Sequence, residues 1–203
     1  SLNQVTHQET PDAGQSNFWY DRLGRLVASQ NAEQKIPSNG DQVNRYSYTL
    51  YDAQGRIAEV GEKTNAADIS TIDTHVPLQL YTWMNQGSDR QVTKTIYDNP
   101  DPFVTTDPQI LLEQLHHFNS RKRVVTSIYI ENKGARDDYN YASHYVYDIS
   151  GNVKKLYQEH KKLPNGNEVS VTKTLDYEFD LISGKVNQVW YQKRKQDQFL
   201  YRY

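Results

Sequence analysis

The stretch "FWYDRLGRLVAS" (Phe18 to Ser29) is followed by "LYDAQGRIAEV" (Leu50 to Val60), "VYDISGNVKKL" (Val146 to Leu156) and "EFDLISGKVNQV" (Glu178 to Val189). One spelling recurs: an aromatic residue, Asp, two or three variable positions, Gly, a polar residue and an aliphatic one. The aspartates are Asp21, Asp52, Asp148 and Asp180, and the glycines Gly24, Gly55, Gly151 and Gly184. A weaker copy without its Gly sits at Asp98, in "TIYDNPDP". The first and last intervals are nearly equal, and insertions stretch the middle ones. Repeats of this length are the signature of architectures in which each unit buries its core against its neighbours.

The flanks of each copy read as strands. Tyr46, Tyr48 and Leu50 alternate before Asp52, and Leu175, Tyr177 and Phe179 alternate before Asp180. Tyr141, Tyr145 and Tyr147 keep the same phase before Asp148. Aromatics at period two with polar residues between them indicate half-buried strands. Leu26, Ile57, Val153 and Val186 follow the glycines. The Asp-x-x-Gly element therefore joins two strands as a short hairpin loop. Asp accepts hydrogen bonds from backbone N–H groups two or three residues on, and Gly supplies the positive φ that closes such loops. The preceding Tyr ends a strand and covers the turn with its ring. The extra residue in "DLISG" calls for a bulge or a longer loop.

A second turn signal lies between copies: "KIPSNGDQV" (Lys35 to Val43) and "KLPNGNEV" (Lys162 to Val169). Pro with Asn-Gly is strong turn chemistry. Between Gly24 and Pro37 there is room for a long strand, roughly 40 Å if fully extended. The expected fold is all-β: an up-and-down antiparallel sheet of long strands.

The middle departs from this grammar. Residues 61–79 read as an insertion broken by Gly61, Asn65 and Pro77. Strands resume at Leu80–Trp83 and Val92–Tyr97, with "NQGSD" as their turn. A second insertion spans about 100–120. There Asp107-Pro108 starts a short helix, 108–117, with Asp as cap and Pro in the first turn. "RVVTSIYIE" (Arg123 to Glu131) is again a strand, followed by the long turn "NKGARDD".

Composition narrows the classes. The 203 residues suffice for one large domain or two small ones; 36% are hydrophobic, but 16 are Tyr, which supports strands and argues against disorder. The net charge of −2, with both signs dispersed, calls for neither nucleic acid nor an anionic membrane. The absence of Cys removes disulfides, thiolate catalysis and thiolate zinc sites. No window reaches the roughly 18 apolar residues of a membrane span. Residues 1–17 are polar and read as a frayed or disordered end, with no signal-peptide pattern.

Chemistry-bearing clusters are sparse. Glu113 with His116-His117 is the most metal-like, but an i, i+3 Glu–His pair needs a second such pair and further carboxylates, which the sequence does not offer. No two carboxylates are singled out as a glycosidase pair. Ser120 lacks a nucleophile elbow, and phosphate- and dinucleotide-binding loops are missing. "NSRKRVV" (Asn119 to Val125) and "YQKRKQ" (Tyr191 to Gln196) are basic clusters beside aromatics; they suit phosphate or sulfated glycan, or simply a solvated strand face. No metal or other cofactor is expected.

The Tyr-Asp-x-x-Gly-(Arg/Asn)-aliphatic grammar resembles the YD repeats of the Rhs family, related to the shells of bacterial insecticidal toxin complexes and to the teneurins. Tyr20-Asp21-Gly24-Arg25-Leu26, Tyr51-Asp52-Gly55-Arg56-Ile57 and Tyr147-Asp148-Gly151-Asn152-Val153 carry it. Phe179-Asp180-Gly184-Lys185-Val186 departs by its Phe, its Lys and one extra residue. The resemblance runs over 18–203, and its last part resembles the tails of Rhs-like surface proteins of Bacteroidetes-type bacteria. It implies an open segment of a spiral shell, with one short inserted helix, that encloses or presents a C-terminal cargo such as a toxin. It also implies secretion or display on a bacterial surface. The self-cleavage motif of some members has no counterpart here, and no toxin domain is visible.

These readings make Asp21, Gly24, Asp52, Gly55, Asp148, Gly151, Asp180 and Gly184 turn residues of a structural module without catalysis of its own. "QFLYRY" (Gln198 to Tyr203) reads as a strand leading into a further turn, so the chain is expected to be a piece of a longer protein. Its partners are then the remaining repeats and the cargo, with self-association through edge strands. The alternative is an adhesin-like module that stacks sugars on Trp19, Trp83 and Trp190. An enzyme ranks third and would require two carboxylates converging in a cleft.

Overall fold

Alternating aromatics and turn residues give a chain that is mostly strand. The computed structural model describes residues 3–35, 44–65, 67–101, 104–105, 107–115, 120–134, 139–162, 168–180 and 182–203. Among the described residues twelve strands pair as an antiparallel sheet in chain order. Two compact units divide it: residues 1–93 with 131–137, and residues 94–130 with 138–203.

The first unit holds β1 (His7–Thr10), β2 (Gly14–Tyr20), β3 (Leu26–Gln30), β4 (Asn44–Tyr51) and β5 (Ile57–Asn65). Strand β6 (Ser88–Tyr97) runs across the boundary between units, and β7 (Val124–Asn132) ends beyond it. The second unit continues with β8 (Tyr141–Tyr147), β9 (Val153–Lys162), β10 (Glu168–Phe179), β11 (Val186–Tyr191) and β12 (Phe199–Arg202). Helix α1 (Pro77–Met84) belongs to the first unit and α2 (Pro108–Leu115) to the second.

Several expectations need correction. Residues 7–10 and 14–17 are not frayed: His7 to Thr10 pair with Asn17 to Gly14 as a hairpin. Polar side chains do not prevent pairing when the partner strand is itself anchored at Phe18 to Tyr20. Strand β3 stops at Gln30. Asn31 and Gln34 then cap each other, Gln34 N–H donating to Asn31 Oδ1 at 2.9 Å and Asn31 N–H to Gln34 Oε1 at 3.1 Å, and a short 3₁₀ turn, Glu33–Lys35, follows. Strand β5 continues to Asn65, so Gly61 lies within a strand opposite Tyr48 rather than in an insertion.

Leu80–Trp83 is helical, not a strand. Short apolar runs are ambiguous between the two periods, and here Pro77 occupies the first turn of a helix, where its missing N–H costs nothing. Among the described residues there are therefore two short α-helices, of which the sequence announced only the second. Val92–Tyr97 lies in β6, and 108–115 of the expected 108–117 helix lies in α2. The Asn-Gly turns at 39–40 and 165–166 fall outside the described residues.

Each unit has its own core. In the first, Ala28, Tyr46, Ile69 and Trp83 are buried together, with Trp19 and Met84 packed against them. Trp19 and Trp83 meet the Tyr46 ring edge-on, with centroids at 5.8 and 5.1 Å. In the second, Ile110 of α2 packs with Val146 and Tyr157.

Candidate functional site

The recurring aspartates have one geometry. In the β2–β3 turn, Asp21 N–H donates to Arg25 O at 2.9 Å and Gly24 N–H donates to Asp21 O at 2.9 Å. Asp52 with Arg56 and Gly55, and Asp148 with Asn152 and Gly151, repeat this pair of bonds within 0.2 Å of those lengths. Asp180 makes the same closure one residue wider, with Lys185 and Gly184. The four glycines have φ of +78°, +81°, +90° and +69° in chain order, the region that L side chains avoid. The register shifts by one residue just before each motif aromatic, at Trp19/Tyr20, Leu50/Tyr51, Val146/Tyr147 and Glu178/Phe179. The bulge is thus common to all four copies, and it sets the aromatic opposite the aliphatic residue that follows the turn.

The polar residue after Gly is part of the same device. Asp21 Oδ1 accepts from the N–H groups of Leu23 and Arg25 at 2.9 Å each, while Oδ2 accepts from Arg25 Nε at 2.7 Å. Asp52 is held identically by Gln54 and Arg56. At Asp148 the amide of Asn152 replaces the guanidinium, with Nδ2 at 3.1 Å from Oδ2. Burial pushes the Asp21, Asp52 and Asp148 carboxyls up, but the backbone and side-chain donors outweigh it and hold each below the usual Asp value. At Asp180 the backbone N–H of Ser183 leads, with the same outcome.

Successive turns are tied together by the aromatic residue. Tyr51 hydroxyl donates to Leu26 O at 2.8 Å, and the Arg25 guanidinium lies 4.5 Å from the Tyr51 ring centroid. In the second unit, Tyr147 hydroxyl donates to Val124 O at 2.7 Å, and Arg123 lies 5.4 Å from the Tyr147 ring. The ring therefore serves the preceding hairpin rather than its own turn.

The incomplete copy at Asp98 is completed from a distance. Asp98 N–H donates to Arg123 O at 3.1 Å, as Asp21 does to Arg25, and Asp98 Oδ1 accepts from Lys122 N–H at 2.5 Å. Lys122 has φ +62° and takes the place of the missing Gly. Residues 99–119, including α2, are thus an insertion inside a turn of the same design. Sequence spacing hid this because the two halves of the turn are separated by the insertion.

The first unit also contains a cavity of about 630 Å³. Strand β5 supplies Glu59 and Lys63 to its floor, in phase with Gly61 and opposite Leu50 and Tyr46 of β4. Tyr48 hydroxyl donates to Glu59 Oε1 at 2.6 Å, and Lys133 Nζ donates to the same oxygen at 2.7 Å. Lys63, 2% exposed, donates to Asp89 Oδ1 and, at 3.1 Å, to Gln86 O. Lys133 also lies 3.5 Å from Asp89 Oδ2. Two carboxylates and two ammonium groups thus alternate along the floor. Burial, then Glu59, pushes the Tyr48 phenol far above its usual value, so it stays a donor. Leu50, Leu80 and Met84 form an apolar wall, and Tyr81, 67% exposed, also lines the cavity. The sequence reading passed over this group; its one signal is charge at Glu59 and Lys63 on the inward phase of a strand.

The second unit places the remaining candidates apart. Glu113 pairs with Lys155 at 3.1 Å, and His116 and His117 lie outside the described residues. Among the described residues no three metal-type side chains gather. A polar cavity of about 440 Å³ is lined by Lys155, Thr174, Asp176 and the 193–195 segment of the "YQKRKQ" cluster. His144 is fully buried, with Nδ1 3.1 Å from Thr126 Oγ1 and Nε2 3.4 Å from Glu159 Oε2; that carboxylate also accepts from Tyr139 hydroxyl at 2.9 Å. Of the three tryptophans, Trp83 is 2% exposed, with Nε1 donating to Ala67 O at 2.9 Å. It offers no stacking platform. Trp19 packs against the same core, and Trp190 of the second unit lies under Lys193 at 5.2 Å.

No family model matches the chain, and no curated protein matches it. Among solved structures it is similar to the crystal structure of TcdB2–TccC3, at 13% identity over 96% of the chain with a TM-score of 0.37. It is also similar to a pore of the Photorhabdus luminescens Tc holotoxin carrying a TccC3 variant, at 12% identity over 93% of the chain with a TM-score of 0.26. The chain spans 9% of the length of each.

Proposed function

We propose that this chain is a non-catalytic structural segment of an Rhs-like shell that encloses or presents a C-terminal cargo such as a toxin, secreted or displayed on a bacterial surface. The observation that carries the reading is the link between consecutive turns. The Tyr of one copy bonds the strand after the preceding turn, and the Arg of that turn stacks on the Tyr ring. A linkage of this kind can be extended copy by copy, as a shell requires. The motif residues are occupied by turn closure and repeat coupling, which suits a wall rather than a reaction. Among the described strands, β1 and β12 each pair with one neighbour. They are where further repeats, or a second copy of this chain, would add.

Electron microscopy and limited proteolysis of the whole encoded polypeptide test this. A closed hollow particle with a protease-protected internal segment is the expected result. A flat or open sheet, with every downstream segment cut as fast as an unfolded peptide, overturns it.

A further inference from the structure

The turn residues Asp21 and Arg25 line part of the first-unit cavity, but its charged floor of Glu59, Lys63, Asp89 and Lys133 serves neither turn closure nor repeat coupling, and that floor is costly to build. Four charged side chains are withdrawn from bulk water there, an arrangement that well-packed hydrophobic residues often match or better in stability. About 630 Å³ lies within the usual range of small-molecule pockets. Glu59, Lys133, Asp89 and Lys63 alternate in sign along the floor and sum to zero. Elsewhere in the lining Asp21 and Arg25 form a further neutral pair, and Arg22 is an exposed, solvated charge.

This pattern selects among ligands. A small ion of either sign would sit beside a like charge. A purely apolar ligand would strip water from the floor and return no hydrogen bonds. A zwitterion would have to break the ion pairs already made. A hydroxyl both donates and accepts, so vicinal hydroxyls can bridge a carboxylate and a neighbouring ammonium while leaving the pairs in place. The wall of Leu50, Leu80 and Met84 and the ring of Tyr81 suit the C–H faces of a sugar ring.

We infer that the cavity floored by Glu59, Lys63, Asp89 and Lys133 and walled by Leu80 and Tyr81 is a binding site for a neutral polyhydroxy ligand of the pyranose class, free or at the end of a neutral glycan. The inference does not rest on the shell reading, and it places sugar recognition away from the tryptophans.

The test is calorimetry and saturation-transfer NMR on the full chain. The probes are glucose, galactose, mannose and N-acetylglucosamine, set against glucuronate, glucose 6-phosphate and phenylalanine. At least one neutral sugar is expected to bind saturably at about millimolar Kd or tighter, with the charged and zwitterionic probes at least about tenfold weaker. Tyr81→Ala removes an exposed ring, and Lys133→Gln removes one charge of the alternation. Each is expected to weaken the neutral sugar about tenfold with the melting temperature of Tyr81→Ala unchanged. Three results overturn the site: no neutral sugar binding tighter than about 10 mM, tighter binding of a charged or zwitterionic probe, or undiminished binding in Tyr81→Ala. Failure here leaves the shell reading untouched, because microscopy of the whole polypeptide decides that separately.

Discussion

The guanidinium of Arg25 lies 4.5 Å from the centroid of the Tyr51 ring. Arg25 is also bonded through Nε to Asp21 at 2.7 Å, so one side chain closes its own turn and holds the aromatic residue of the next copy. Lys cannot substitute for it, because an ammonium lacks the planar fork that bonds a carboxylate while stacking on a ring. Arg25→Lys is therefore expected to destabilise the protein. Tyr51→Phe removes the bond to Leu26 O and is expected to cost about 1 kcal/mol. A double-mutant cycle by urea denaturation should show coupling between Arg25→Ala and Tyr51→Leu, which removes the ring under the guanidinium as well as the hydroxyl. Additive effects would mean that the two turns are independent.

Asp21 and Asp180 should differ in weight. Asp21 is 7% exposed and accepts from two backbone N–H groups and a guanidinium, whereas Asp180, at an exposed, wider loop, accepts from the backbone N–H groups of Ile182 and Ser183, with the Ser183 side chain where Asp21 has a guanidinium. Asp21→Ala is expected to cost about 1–3 kcal/mol, because it leaves part-buried donors unpaired. Asp180→Ala is expected to cost less. Equal shifts in thermal midpoint would show that the side-chain partner contributes nothing.

Acid should unfold the protein through these turns. The carboxyls of Asp21, Asp52, Asp148 and Asp180 all titrate below their ordinary value of 3.8 when folded. A depressed folded value means that their stabilisation is complete above the unfolded value and disappears as pH falls through the folded one. Stability measured by circular dichroism in urea should be steady near pH 6 and decline below about pH 4. Glu159, also held below its ordinary 4.5 against burial by His144 and Tyr139, adds to the same trend. Stability that rises between pH 5 and pH 3 would contradict the assignment.

Two glycines separate backbone conformation from space. A Cβ at Gly184 would meet nothing within 4 Å, so Gly184→Ala bears only the cost of φ +69°, about 1–2 kcal/mol. A Cβ at Gly87, at φ +74°, would overlap the backbone carbonyl of Thr64, which cannot yield without moving β5. Gly87→Ala should be the more damaging by differential scanning fluorimetry. It should also disturb the Gln86–Lys63 bond beside the charged floor.

Trp83 should behave as core. Trp83→Ala removes the ring against Tyr46 and leaves Ala67 O without its donor, at a cost of about 3–5 kcal/mol. In the native protein a quencher such as acrylamide should reach Trp83 poorly. Strong quenching of a Trp83-only variant that retains its fold would place that ring at the surface.

Some of this was legible in the chain itself. The alternation at Tyr46, Tyr48 and Leu50, and the Asp and Gly at fixed spacing, specify strands and hairpins because both signals are local. Expectation failed at Leu80–Trp83, where a short apolar run fits either period and the burial of Trp83 against Tyr46 accompanies the helix. It failed again at residues 7–17, where pairing with an anchored strand outweighs a polar composition. The Arg-or-Asn position after Gly was visible as a letter, but its second task on the next Tyr ring was not.

What the sequence by itself determined is therefore the repeating turn: Asp to accept backbone N–H groups, Gly to adopt positive φ, and aromatic and aliphatic residues to face each other across the bulge. Each of these acts over four or five residues. Tertiary structure alone decided that Lys122 and Arg123 complete the turn opened at Asp98. It also decided that Tyr51 serves the hairpin before it, and that Glu59, Lys63, Asp89 and Lys133 meet on one floor. Those groups lie tens of residues apart along the chain, and strand register and chain reversal, not local preference, set the distances between them.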